Sequence, residues 1–331
     1  MKPRVSIIIS NRNDVSMLVV TIRSCIEELK PLGPGEIIVV DNSDDQFYSL
    51  LAKHLPTGYM RDNTLRIYRQ NFPCIFTARE TAIAEANSDY IICLDSHMLV
   101  GKNMILDLVN FMDSHSDDET IGFAHAPINW LHQHPSYSRH DRDMSECEIG
   151  NWGLAYNHER TITWKGMPWI CRKDFWSKIN GYGALSQHKL SWGGGDMHIG
   201  IKPWMLGFKN WAVPCSPAIH IGPFPKIDTN PTNPNSVKVA TVTARDRYRL
   251  WSVSGEGPHS LGFLVSCYVL GGEPMMERNR KQINFRFGEF IDVNHWWDKA
   301  ITYGEDEKAW LDANKTMTFE ELLEWRPWDA N

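Results

Sequence analysis

The sequence predicts an α/β protein built on a parallel, doubly wound sheet and followed by a mainly helical C-terminal extension. Three observations predict it. The runs from Val5 to Ile9, Ile37 to Val40 and Tyr90 to Leu94 are apolar and β-branched, as in strands buried on both faces. Segments of helical period separate them, and strands alternating with helices imply crossover connections and a parallel sheet. After about residue 230 the strand signal stops, and the remaining pattern is helical. The expected division is 1–230 for the sheet domain and 231–331 for the extension.

The elements follow in order. Val5 to Ile9 stops at polar Ser10-Asn11-Arg12. Leu18, Ile22, Cys25, Ile26 and Leu29 recur at helical spacing until Pro31-Leu32-Gly33-Pro34-Gly35 ends the helix. Ile37 to Val40 closes at Asp41-Asn42-Ser43, and Leu65 to Tyr68 reads as a third strand. Residues 75–87 read as a helix, and Tyr90 to Leu94 runs into Asp95-Ser96-His97. Ile105, Leu108, Val109 and Met112 mark another helix before a strand near 121–124. In such sheets ligands gather beyond the carboxyl ends of the strands, where Asp41 and Asp95 both fall. Residues 127–160 show no period and carry His132, His134, His140 and His158. After the aromatic stretch from Trp164 to Trp169, Ser191-Trp192-Gly193-Gly194-Gly195-Asp196 opens a helix that Pro203 should kink or shorten. A strand at 211–214 leads to Ala218-Ile219-His220. Pro223 to Ser236, rich in Pro and Asn, reads as a mobile loop, and Val237, Ala240, Ala244, Tyr248 and Trp251 stripe the first helix of the extension.

Composition excludes several classes. With 331 residues, 42% hydrophobic and 22% charged, the chain is neither disordered nor fibrous. A net charge of −6 gives no global attraction to nucleic acid or anionic membrane, so such contact would need a local patch. The short N-terminal apolar run is too brief for a signal sequence or a membrane span. Seven cysteines without a CxxC pair fit a reducing compartment, and a cytoplasmic location is expected. The 14 Trp and 13 His are numerous enough to suggest a wet, polar cavity.

Asp95-Ser96-His97 is the sharpest motif. A carboxylate at a strand end and an imidazole two residues on can turn toward one point, offering a hard oxygen and a nitrogen to Mn²⁺ or Zn²⁺. Read alone, Asp95 is equally a turn former. His220, again at a strand end, is equally a core histidine bonded to backbone. Asp196, after three glycines at a helix start, is either an N-cap or a carboxylate presented to a ligand that the glycines let approach. Trp192 would offer a flat face to a sugar ring.

Together these residues resemble the GT-A glycosyltransferases, and most of all the polypeptide N-acetylgalactosaminyltransferases. The stretch from Ala78-Arg79-Glu80 to Ile92-Cys93-Leu94-Asp95 is similar to that group's helix-strand unit ending in a D-x-H metal motif. Trp192-Gly193-Gly194-Gly195-Asp196 resembles its W-G-G-E-N/D signature, and Pro214 to His220 resembles the segment that supplies a third ligand. The likeness runs over roughly residues 3–225. It implies that Asp95, His97 and His220 hold a divalent cation, Mn²⁺ first, against the diphosphate of a nucleotide-sugar, most simply a UDP-sugar. It implies that Asp41, Arg79 and Asp95 face the donor nucleotide. Trp192, Gly193, Gly194 and Trp169 would line the sugar and acceptor pocket. Arg79 is equally a surface ion-pair partner of Glu80 or a neighbour.

Departures matter too. The signature's glutamate is Gly195 here, and its asparagine in the retaining relatives is Asp196, which in inverting enzymes of this fold serves as general base. Retention and inversion both stay open. The 223–236 loop is expected to close over the donor. Lys238, Arg245 and Arg249 share a helical face, and Arg278, Arg280, Lys281 and Arg286 cluster beyond them. These are either a solvated face or a phosphate track for DNA carrying hydroxymethylated pyrimidines. A protein, a glycan precursor, or a non-catalytic nucleotide-sugar-binding role are the alternatives. A metal phosphohydrolase lacks its clustered ligands for two metals. No membrane partner is expected, and oligomeric state is not encoded in any motif.

Overall fold

The computed structural model describes residues 2–55, 64–130, 137–138, 152–153, 159–164, 166–191, 193–221, 259–287 and 293–325. Trp192, the 223–236 loop, the Val237 to Trp251 stripe, Lys238, Arg245, Arg249 and His132, His134, His140 and His158 lie outside the described residues, as do the side chains of Lys281 and Arg286.

The predicted strands form the centre of an eight-stranded sheet. β1 (Val5–Asn11) lies between β4 (Tyr90–Asp95) and β2 (Glu36–Asp41), and β3 (Leu65–Arg69) follows β2, all in parallel register. Ile7, Ile8, Ile37, Ile38, Ile91 and Ile92 are fully buried, which explains why these strands read as unbroken apolar runs. Helix α1 (Val15–Leu29) buries Leu18, Ile22, Cys25 and Leu29 against this layer, each worth about 1.5–3 kcal/mol if a large aliphatic. Asp14 caps its start, its side chain accepting from Met17 N–H.

The sheet is not wholly parallel. β11 (Trp169–Arg172) is inserted antiparallel between β4 and β6 (Ile121–His125), and β12 (Lys209–Ala212) continues parallel to β6. β10 (Glu159–Arg160) forms the edge, antiparallel to β12. The aromatic composition of the 164–169 stretch concealed β11, because its apolar faces are Trp169, Ile170 and Cys171 rather than a β-branched run. A second sheet has the order β5-β13-β7, with β5 Met98–Leu99, β13 Ala218–His220 and β7 Ile128–Trp130. β8 (Tyr137–Ser138) and β9 (Trp152–Gly153) pair with each other inside the stretch that has no sequence period. The helix Gly195–Met205 runs two residues past Pro203, so the proline sits in its last turn.

The C-terminal helices His259–Phe287, Val293–Asn314 and Phe319–Trp325 share the core of the sheet domain, burying Leu261, Leu264, Val265, Leu311 and Leu322. The first is broken at Gly272, whose φ is 68°. One buried charge cluster joins the two regions. Glu307 Oε1 accepts from Lys202 Nζ at 2.6 Å and lies 3.0 Å from His198 Nε2, and Oε2 accepts from Ala184 N–H at 2.7 Å. Burial alone would raise the Glu307 carboxyl, but His198 and Lys202 outweigh it and bring it down to about 2. Burial lowers His198, whose Nε2 lies 3.0 Å from Glu307 Oε1 and 3.2 Å from Lys202 Nζ.

Two predictions follow from this packing. Glu307→Ala strands Lys202 in the interior and should cost about 3–5 kcal/mol in urea unfolding; a loss below 1 kcal/mol would mean water reaches the cluster. His125, 2% exposed, is pushed down to about 4 by burial. A histidine depressed in the fold stabilises it above the ordinary value near 6.5, and that contribution is lost as pH falls toward 4. The Glu307 contribution is lost lower, as pH falls from about 4.5 toward 2. His125→Phe, which keeps a ring against Trp164, should therefore flatten the fall of stability between pH 6.5 and 4 but not below. An unaltered slope in that window would show that His125 is charged in the fold.

Candidate active site

The site begins where β4 ends. Asp95 is the last residue of the strand, Ser96 and His97 turn, and β5 starts at Met98. Buried Thr21 of α1 fixes this turn: its hydroxyl donates to Ser96 C=O and accepts from Met98 N–H, both at 2.9 Å. β13 then pairs antiparallel to β5, setting His220 opposite Met98, and Ile221 N–H donates to His97 C=O at 2.9 Å. The two histidines, 123 residues apart in sequence, become neighbours through this short ladder.

Their Nε2 atoms stand 3.0 Å apart with rings nearly perpendicular, and His220 Nε2 lies 3.8 Å from Asp95 Oδ2. One ligand atom from each of Asp95, His97 and His220 falls within 4.8 Å of the others, and this is the one such group among the described residues. Two imidazole nitrogens facing at this distance must share a proton or a cation. Tetrahedral coordination at the usual Zn–N length would separate them by about 3.3 Å, so the donor set fits a divalent ion. An oxygen with two imidazoles accommodates Mn²⁺ or Zn²⁺.

Arg79 lies behind Asp95. It is buried on the helix Ile75–Glu85 and donates from Nη2 to Asp95 Oδ1 at 3.0 Å and from Nη1 to Tyr182 Oη at 2.9 Å. The ion pair with Glu80 does not form: Glu80 accepts instead from Trp176 Nε1 and Tyr182 N–H. Asp95 thus offers one oxygen to Arg79 and turns the other to His220. Asp41 is fully buried at the edge of β2, and its carboxylate accepts from Asn11 Nδ2 and Ser43 Oγ, both at 2.6 Å, and from Arg69 Nη1 at 3.1 Å.

Asp196 is not the N-cap of its helix. Gly194, with φ 72°, holds that position, and Asp196 in the first turn accepts from Gly166 N–H through Oδ2 at 2.8 Å. The glycines also answer to packing rather than to ligand approach alone. A Cβ on Gly194 would lie 2.5 Å from Ser266 Oγ and 2.9 Å from Gly262 O of the C-terminal helix, and one on Gly195 would meet the Phe76 ring at 2.5 Å. Gly193 is buried with φ 110°.

Trp169, expected at the sugar pocket, packs in the interior. It is wholly buried in β11, stacked on Trp176 at 5.6 Å and edge-on to Phe123 at 5.0 Å. Trp164 is likewise core, against Phe123 and His125. The aromatic and imidazole excess is therefore partly interior packing. The basic cluster is partly neutralised: Arg278 lies 3.9 Å from Glu320, and Arg280 pairs with Glu277 at 2.9 Å and covers the Trp297 ring. Thr21, Tyr182 and Asp14 carry no motif, and only their contacts reveal them.

Comparison with known proteins agrees with this architecture. A family model described as Glycosyl transferase family 2 matches residues 6–166. A Drosophila melanogaster N-acetylgalactosaminyltransferase 6 is 25% identical over 240 residues, 66% of this chain; the chain spans about a third of that relative, 34% of its length. A crystal structure of GalNAc-T7 with UDP, GalNAc and Mn²⁺ superposes with TM-score 0.60 at 17% identity, over 92% of this chain and 55% of that one. S. aureus TarS 1–349 superposes at 0.52 and 14% identity, over 97% and 85%, and its complex with UDP-GlcNAc at 0.51 and 13%, over the same shares. The fold is that of the GT-A glycosyltransferases, with a helical C-terminal region, and the chain resembles the N-acetylgalactosaminyltransferases. No helix among the described residues is long and apolar enough to cross a membrane.

His97→Ala removes one donor nitrogen from a half-buried turn whose backbone is held by Thr21 and Ile221. Divalent-cation binding, followed by calorimetry, should fall below detection while the melting temperature stays near wild type. Undiminished binding would take His97 out of the ligand set.

Proposed function

We propose that the protein transfers a sugar from a nucleotide-diphosphate sugar, a UDP-sugar first, to a hydroxyl acceptor with Mn²⁺ or another divalent cation bound by Asp95, His97 and His220. The observation that carries this reading is the convergence of those three side chains at the carboxyl edge of β4, where such sheets bind their ligands. The nucleotide-bound structures of GalNAc-T7 and TarS, which share the fold, support UDP as the nucleotide. A bound cation would supply Lewis-acid stabilisation of the departing diphosphate.

The chain's own residues do the rest. Arg79 fixes the Asp95 carboxylate, leaving one oxygen aimed at His220. Asp41, held by Asn11, Ser43 and Arg69, marks the end of the donor site that takes the uracil or ribose. Trp192, Gly193 and Gly194 bound the sugar and acceptor. Asp196 is the general base: its carboxylate takes the acceptor proton as the acceptor oxygen bonds to the anomeric carbon, and UDP leaves with the electron pair of the broken bond. A base on the face opposite the leaving group gives inversion.

The acceptor we propose is the hydroxyl of a hydroxymethylated pyrimidine in DNA reached by a cytoplasmic enzyme, on the strength of the helical spacing of Lys238, Arg245 and Arg249 in the sequence. Protein and glycan hydroxyls are the competing acceptors.

A panel of UDP-sugars with Mn²⁺ should release UDP, and one donor should label hydroxymethylated DNA as read by mass. Label in protein instead would overturn the acceptor, and tight donor binding without turnover would make this a binding module. Asp196→Asn should lower kcat about 10²–10⁴-fold with UDP affinity unchanged; an equal loss of UDP affinity would remove its role as base.

A further inference from the structure

The Asp14 carboxylate faces the metal turn from the start of α1. Its Oδ1 accepts from Met17 N–H at 3.3 Å and caps the helix, while Oδ2 lies 3.7 Å from His97 Nδ1. Nδ1 is the ring nitrogen turned away from the cluster; Nε2 meets His220. Ser96 Oγ, 3.5 Å from Nδ1, is its other polar neighbour. Helix α1 therefore grips the turn twice, through Thr21 on the backbone and through Asp14 on the ring.

We propose that Asp14 is a positioning residue for cation binding: its carboxylate keeps the proton of His97 on Nδ1, so that Nε2 presents its lone pair toward Asp95 and His220. The physical basis is general. A histidine binds a metal through one nitrogen only if the other carries the proton, and a carboxylate acceptor both selects that tautomer and holds the ring plane. A neutral hydroxyl at Ser96 gives a weaker version of the same bond. The two atoms stand 3.7 Å apart, just beyond hydrogen-bond length. This inference rests on the divalent-cation reading of the three-residue cluster.

Capping and positioning separate cleanly, because Asn and Ser cap helices as well as Asp but carry no charge. The full chain, without donor, is titrated with Mn²⁺ and free ion is read by electron paramagnetic resonance. Asp14→Asn and Asp14→Ser should weaken Mn²⁺ binding about 10–100-fold at near wild-type melting temperature. In the ¹⁵N spectrum of the His97 ring, both should lose part of the Nδ1–H tautomer. Unchanged affinity in both variants, with binding abolished by His97→Ala, overturns the role of Asp14 and leaves the metal site standing. Weaker binding that only tracks a lowered melting temperature reduces Asp14 to a cap and also overturns it. No Mn²⁺ binding by the wild type removes the metal reading and this inference with it.

Discussion

The candidate site depends on one two-residue strand pairing. β5 is Met98–Leu99, and its antiparallel register with β13 sets His220 beside His97. Backbone hydrogen bonds in a ladder are directional, so a register shift of one residue would turn His220 to the opposite face. Thr21 holds the start of β5 from the helix beneath, and the Ile221–His97 backbone bond closes the far end. A carboxylate and two imidazoles then converge without any long-range order in the sequence. The convergence of the three donors is thus set by backbone pairing, and the side chains need only be of the right type.

A second constraint ties the C-terminal helices to the same site. Glu307, Lys202 and His198 form a buried ionic cluster at the helix whose first turn carries Asp196. Such clusters contribute little net stability over an apolar equivalent, yet removing one partner is costly. Gly194 is pressed against Ser266 and Gly262 from the same region. The extension is accordingly part of the scaffold around the Trp-Gly-Gly-Gly-Asp segment, and the sequence-based boundary near 230 falls outside the described residues.

Much of the fold was legible because β1, β2 and β4 are buried on both faces and carry the unbroken apolar runs Ile7 to Ile9, Ile37 to Val40 and Ile91 to Leu94. β11 was not legible: Trp169 and Cys171 carry no β-branched signal, and the strand gains its burial only between β4 and β6. Trp169 illustrates the limit for the site as well. A tryptophan near a signature motif reads as a sugar platform, but stacking on Trp176 places it in the interior. Arg79 was legible as a basic residue on the right helix, and its bond to Asp95 in place of Glu80 required that helix to pack on β1 and β2 beside the end of β4.

The sequence by itself determined the alternation of strands and helices, the strand-end position of Asp95 and the order of the three motifs. These are properties of local periodicity and residue chemistry. The tertiary structure decided which histidine meets which, that Arg79 faces inward to Asp95, that the glycines at 194 and 195 accommodate neighbouring packing, and that Asp14 stands behind His97. Each of these is a contact between residues distant in the chain, and such distances are set by register and burial, to which a linear pattern gives no access.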